Sequence, residues 1–305
     1  MARHEKTLWI GTDDGHTLGL RVASPQVTSL TTPPASAVLC LHGLFSDGRF
    51  FLNSKHSGPA RAFLDQGFRV FIGELRGHGQ SRWPNGARLW NWSFDDYVKH
   101  DLRLLIERAA TAHGGPVYLV AHSIAGYAAL ATLGLYPELQ AKVRGVCILA
   151  SAVNDYTEAP LRKRLMFNFS AALARTCGRF PARRLRLGVS DEPPALMRQF
   201  VQWARRRSFS SLDGAIDYWQ LLGRVAVPVW AGVGAADRFH ASVARGKQLV
   251  ERLGSSDKQF VELGRRAGFS RDFGHVDVLR GEAAAREVLP LLLAWMQQRT
   301  AGRAV

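Results

Sequence analysis

Six short runs rich in Val, Ile and Leu recur along this chain, each followed by a Gly-containing turn and then a longer amphipathic stretch. The runs are Ala37 to Leu41, Arg69 to Gly73, Val117 to Ala121, Val146 to Ala150, Val227 to Gly232 and Lys258 to Leu263. Strands covered on both faces carry no polar alternation, and parallel neighbours need a crossover of helical length between them. The rhythm therefore predicts an α/β fold with a mostly parallel central sheet flanked by helices. Upstream, Lys6 to Gly11 and Thr17 to Ala23 flank Asp13-Asp14-Gly15 and read as a β-hairpin. Ser24 to Ser36, rich in Pro, Ser and Thr, reads as a surface connection. Helices are expected over Gly58 to Gln66 and Ser93 to His113. In the second, Ser93 stands three residues before Asp96, close to a capping-box pattern, and Tyr97, Leu102, Leu105 and Ile106 supply the apolar face.

After Ser151 the rhythm stops, and helical composition continues with no evident strand until Val227, far beyond an ordinary connection of about 4–6 residues. Residues 152–225 are accordingly read as an inserted helical cap, and residues 1–151 with 226–305 as one core domain. Phe167, Phe169, Phe180, Phe200, Trp203, Phe209 and Trp219 suit the cap's own small core, with a few expected to face a ligand.

Apolar residues make up 47% of the chain and charged residues 21%, which excludes a disordered polyelectrolyte. Cys40 and Cys147 lie inside apolar runs and, with Cys177, make an odd set. They read as reduced thiols, and no CxxC or Cys/His cluster marks a metal site. Met1 to Asp14 lacks the apolar stretch of a secretory signal, and Val288 to Trp295, interrupted by Pro290, is much shorter than the ~20 residues needed to span a bilayer. A soluble, cytoplasmic protein is the expectation. The net charge of +15 raises a nucleic-acid reading, but no recognition helix, zinc finger or RNP-like segment accompanies it, so no nucleic-acid partner is expected. The charge is concentrated: residues 151–225 hold thirteen Lys or Arg against six Asp or Glu. A solvated arginine-rich face accounts for this, and weak contact with anionic substrates or an anionic membrane surface is the functional alternative. Oligomeric state is left open.

The segment Val117 to Leu130, VYLVAHSIAGYAAL, is a strand, a tight turn at His122-Ser123-Ile124 and a helix opened by small residues. Such a turn pushes the Ser123 hydroxyl out over the sheet edge and aims helix N-terminal amides at a developing oxyanion. Ala121 and Ala125 stand where glycines flank the serine in the Gly-x-Ser-x-Gly pattern, with Gly126 just beyond.

On these residues the chain resembles the α/β-hydrolase-fold lipases and esterases, from roughly Leu18 to Met296, with the cap least matched. Leu41-His42-Gly43-Leu44, Trp92-Ser93-Phe94-Asp95-Asp96-Tyr97 with Asp101-Leu102, and Gly274-His275-Val276-Asp277 are similar to segments of the acid lipase group that includes gastric and lysosomal lipases. Glu74 to Ser81, ELRGHGQS, resembles a loop of the wider superfamily in which Asp more often replaces Glu74. The resemblance implies that the backbone amides of Leu44 and Ile124 form an oxyanion hole.

A serine hydroxyl needs a base. His275, following the last strand by a short Arg/Gly-rich loop, is best placed of ten histidines. His122 is taken as structural, His42 as a turn residue without a proton-transfer role, and His78, His100 and His240 as surface or loop groups. The orienting acid should end a strand between serine and base. Asp237 meets that criterion, Asp155 is its rival, and Asp272 and Asp277 read as loop or capping groups. The expected activity is hydrolysis of carboxylic esters, medium-chain or monoglyceride-like, by Ser123, His275 and Asp237 without metal or cofactor. A thioesterase, amidase or acyltransferase with the same residues is the alternative. A silent binding protein on the same fold is another, supported by the alanines at 121 and 125.

Overall fold

The computed structural model describes residues 5–25, 36–154 and 161–301. Strands β1 (Glu5–Gly11), β2 (Thr17–Ala23), β3 (Ala37–Leu41), β4 (Arg69–Gly73), β5 (Val117–His122), β6 (Val143–Leu149), β7 (Val229–Gly234) and β8 (Lys258–Leu263) form one sheet in the order β1-β2-β4-β3-β5-β6-β7-β8. The hairpin β1–β2 joins β4 antiparallel, and every later pairing is parallel. Helices α1 (Ala60–Asp65), α2 (Phe94–Asp96), α3 (Leu102–His113), α4 (Ile124–Leu135), α5 (Leu161–Thr176), α6 (Pro194–Arg206), α7 (Tyr218–Leu222), α8 (Val243–Glu251) and α9 (Leu289–Ala301) complete the chain.

Side-chain alternation explains why the central strands are apolar throughout. Leu39 and Leu41 of β3 and Leu119 and Ala121 of β5 point into one core with α3 and α4, whereas Val38, Cys40, Tyr118 and Val120 point into the other with α1 and α9. The expected strands are present with small shifts. β7 starts at Val229 because Pro228 has no amide to give the ladder, although its carbonyl accepts from Val146 at 2.9 Å. β6 begins earlier than its apolar run because Val143 pairs with Val117 and Gly145 with Tyr118, and the absence of a Cβ on Gly145 leaves room for Trp295, 2.7 Å from where that Cβ would lie. The long helix expected from Ser93 is interrupted: Ser93 and Asp96 form the capping box, then Tyr97–Asp101 make a π turn before α3.

Between β6 and β7 the described residues form α5, α6 and α7 with two isolated bridges, Phe180–Glu192 and Ser210–Asp217. Its aromatics do not share one small core. Trp203 and Phe209 join the large core, Phe94 lying 4.8 and 5.6 Å from their rings. Phe180 sits in a separate minor cluster with Ala174, Ala182 and Met197, and Phe169 is exposed. The connection read over Ser24 to Ser36 lies largely outside the described residues, as does Asp155. Among the described residues no helix is long and apolar enough to cross a membrane.

Candidate active site

Ser123 is the single residue between β5 and α4, at φ 57° and ψ −125°, backbone that a residue with a side chain rarely adopts. Three contacts hold it there. Its amide donates to Leu149 O at 2.9 Å, the Ser151 hydroxyl donates to its carbonyl at 2.8 Å, and the Gly126 amide donates to that carbonyl at 3.0 Å. Small neighbours are compulsory: a Cβ on Gly126 would lie 2.0 Å from Ser151 Oγ, and one on Gly43 would lie 2.9 Å from Ser123 Cβ. Ala121 and Ala125 are fully buried and fit as methyls, so in this elbow the position that admits no Cβ is Gly126.

The loop after β8 brings His275 over the elbow, with Nε2 3.0 Å from Ser123 Oγ and Nδ1 2.5 Å from Asp237 Oδ2. Asp237, just past β7, uses its other oxygen to accept the amides of His240 (3.0 Å) and Ala241 (3.1 Å). Burial works to raise this carboxyl. The hydrogen bond and charge of His275 and the two amides outweigh it, holding the group below its ordinary value. With Nδ1–H donating to Asp237, His275 turns its Nε2 toward the Ser123 hydroxyl.

His122 is buried, stacks on Phe50 at 4.7 Å, and its Nε2 donates to the backbone carbonyl of His275 at 2.7 Å. Burial, then the neighbouring His275, push it down to about 3, so it stays neutral and anchors the loop. His42 is likewise neutral. Its Nδ1 donates to Gly43 O (3.0 Å), its Nε2 accepts from Leu75 N (3.3 Å), and burial lowers it to about 3. His240, read as a loop group, does lie on an exposed loop, yet its ring stands 4.5 Å from that of His275. His78, read as a surface or loop group, does lie on a loop, but it is not at the surface: it is buried, its Nδ1 donates to Ser46 O at 2.8 Å, and its Nε2 lies 3.5 Å from Glu192. Sequence spacing gave no hint of this, because the carboxylate that receives it comes from the distant segment between β6 and β7. Asp272 and Asp277 accept the amides of Arg265 (2.8 Å) and Gly274 (2.5 Å), as loop groups do.

Leu44 follows the turn that touches Ser123, and Ile124 is the first residue of α4, whose amide has no intrahelical acceptor. The Glu74 loop packs against Gly48, in the loop that follows Leu44. Its carboxyl accepts from Gly48 N at 2.9 Å and fills the space a Cβ on Gly79 would need, and burial raises it to about 7. Arg76 anchors the same loop to Asp101 (2.8 Å) and Asp14 (2.6 Å). Among the described residues, no group of three His, Cys, Asp or Glu side chains is arranged to hold a metal ion.

The family model for Hydrolase_4, described as serine aminopeptidase, S33, matches residues 32–264, which include Leu44, Ser123, Ile124 and Asp237, with His275 beyond its end. Triacylglycerol lipase 1 of Arabidopsis thaliana is 24% identical across 95% of this chain and 86% of its own length. The tear acid lipase-like protein of Mesocricetus auratus is 31% identical over 47% of this chain, a region spanning 37% of that relative. In three dimensions the chain is similar to the monoacylglycerol lipase of Paleococcus ferrophilus, with a TM-score of 0.59 at 18% identity over 98% of this chain and 100% of that one.

Proposed function

Because the chain belongs to the Hydrolase_4 family of α/β hydrolases, we propose that it hydrolyses carboxylic esters through a Ser123–His275–Asp237 triad and an acyl-enzyme. The observation that carries this reading is the continuous chain from Asp237 Oδ2 through both ring nitrogens of His275 to Ser123 Oγ. Ser123 Oγ gives its proton to His275 Nε2 and attacks the ester carbonyl, and the oxyanion is received by the amides of Leu44 and Ile124. The imidazolium, steadied by Asp237, then protonates the leaving alkoxide. A water molecule deprotonated by the same nitrogen attacks the acyl-enzyme, and the proton returns to Ser123 as the acid leaves.

Residues 152–225 serve in this reading as a cap, and the substrate is a medium-chain or monoglyceride-like ester; the relative named triacylglycerol lipase 1 supports the glyceride part of this reading. The printed family description names a peptidase, so amide cleavage is the second reading. A fluorophosphonate probe on the parent and Ser123→Ala, followed by matched ester, thioester and amide substrates over a range of chain lengths, tests both. Ser123-dependent labelling with preferred ester turnover is expected. Absence of Ser123-dependent labelling would leave a binding protein, and preferred amide turnover a peptidase.

The cap also suits an anionic lipid surface. Leu161, Leu165 and Phe169 form an exposed stripe on α5, a helix with four basic residues and no acidic one. Salt-sensitive binding to phosphatidylserine vesicles, without binding to phosphatidylcholine vesicles, is the expected outcome. Equal binding to both would remove the charge argument.

A further inference from the structure

The loop carrying Leu44 is gripped by the insertion as well as by the core. Phe45 sits at φ 58°, a left-handed conformation that a phenylalanine adopts only where its surroundings impose it. Residues 188–192 engage both sides of its backbone. The Phe45 amide donates to Glu192 Oε1 at 2.9 Å, and the Phe45 carbonyl accepts from the amides of Val189 (2.7 Å) and Ser190 (3.2 Å). Gly188 comes so near that a Cβ would lie 2.2 Å from that carbonyl oxygen. Glu192 is itself fixed: it is completely buried, and its second oxygen accepts from the Tyr97 hydroxyl at 3.3 Å and stands 3.5 Å from His78 Nε2. Its backbone pairs with Phe180, whose ring lies 5.4 Å from that of Phe45.

We propose that Glu192 is a positioning residue for the oxyanion site, resting on the reading of Leu44 as a donor. Holding the Phe45 amide fixes the Leu44–Phe45 peptide plane, and through the φ and ψ of Leu44 this restrains the preceding Gly43–Leu44 plane, which carries the Leu44 N–H that faces Ser123. The donor is thereby assembled only when the 188–192 segment is seated, so the placement of the cap and the readiness of the oxyanion hole are coupled. Tyr97 and His78 act one step further back, as the core's grip on the Glu192 carboxylate.

The test compares Glu192→Gln, which keeps an oxygen for the Phe45 amide, with Glu192→Met, which removes it at similar length. The readouts are the rate of Ser123 phosphonylation by a fluorophosphonate, and kcat and KM per titrated active site on a chromogenic ester. Loss of a complete oxyanion donor lowers turnover by about 10²–10³; for a displaced donor in Glu192→Met the expected loss is about 10–100-fold in both rates, with KM changed by less than about threefold. Glu192→Gln is expected to stay within about threefold of the parent in both rates. Parent-like kcat in Glu192→Met with only a lower melting temperature would reduce Glu192 to packing and overturn the proposal. Equal losses in both variants would overturn it too, since the acceptor survives in one. Should Glu192→Met not accumulate as folded protein, Gly188→Ala, which presses on the Phe45 carbonyl from the same segment, takes its place, and unchanged kcat there overturns the proposal. A parent that is not labelled at Ser123 sinks the serine-hydrolase reading first and is recognised before any variant is compared.

Discussion

Each oxygen of Asp237 has a different duty, which makes the effect of an amide at this position derivable. Oδ1 is committed to two backbone donors, His240 and Ala241, so an asparagine keeps its carbonyl there and turns its NH2 toward His275. That NH2 can only donate, and the imidazole must accept at Nδ1 and carry its proton on Nε2, facing the serine hydroxyl it should deprotonate. Asp237→Asn is expected to lower kcat by about 10²–10⁴ at neutral pH with the fold intact. Asp155→Asn, at the rival position, is expected to leave kcat within a few-fold. The two kcat values decide the assignment, and a larger loss at 155 would reverse it. Ser123, His275 and Asp237 could be picked from the sequence because each follows a strand run and their order along the chain is informative. The groups that hold them could not. Ser151 under the elbow, His122 on the His275 carbonyl and Glu192 on the Phe45 amide of the loop after β3 act through contacts between segments distant in sequence, and none stands in a motif.

The same contrast holds for whole elements. Strands buried on both faces announce themselves as apolar runs, and β3 and β4 occupy the residues their runs cover; β8, the partly exposed edge strand, also matches its predicted range. The helices α5, α6 and α7 between β6 and β7 give no comparable sign of what they pack on. Asp95 supplies part of the answer, since its buried carboxylate accepts from Gln199 Nε2 of α6 (2.7 Å), Leu212 N (2.8 Å) and the Tyr218 hydroxyl of α7 (2.8 Å). One side chain from α2 thus ties down α6, α7 and the loop between them. Asp95→Ala leaves three donors without that acceptor, and hydrogen bonds to charged groups contribute about 1.5–3 kcal/mol each, not additively. A destabilisation of about 3 kcal/mol or more is expected in urea unfolding, with new proteolytic cuts between residues 194 and 222. A change under about 1 kcal/mol would mean that the aromatic contacts of Phe94 with Trp203 and Phe209 hold the helices unaided.

For the molecule as a whole, the buried groups His42, His122, Glu74 and His78 shape how stability depends on pH. Burial keeps His42 and His122 neutral, lowering each from 6.5 to about 3, and raises Glu74 from 4.5 to about 7. As pH falls from about 6.5 to about 4.5, the unfolded chain binds two protons at the histidines that the folded chain refuses. The folded chain binds one at Glu74 that the unfolded chain does not yet take. The unfolded state gains by one proton, so stability should fall toward acid by about 1.4 kcal/mol per pH unit across that window. Above it the sign turns. The carboxyl of Glu74 releases its proton only near pH 7, and His78 keeps its own above 6.5 because Glu192 outweighs the effect of burial, so the native state then holds the excess. Urea midpoints taken from pH 4 to 8 are expected to peak near pH 6.5. Glu74→Gln isolates the balance, since an amide still accepts from Gly48 but no longer titrates. Without its opposing proton the acid limb should steepen from one proton toward two. An acid limb that is flat in the parent, or unchanged in Glu74→Gln, would show that these buried groups do not control the acid stability of the fold.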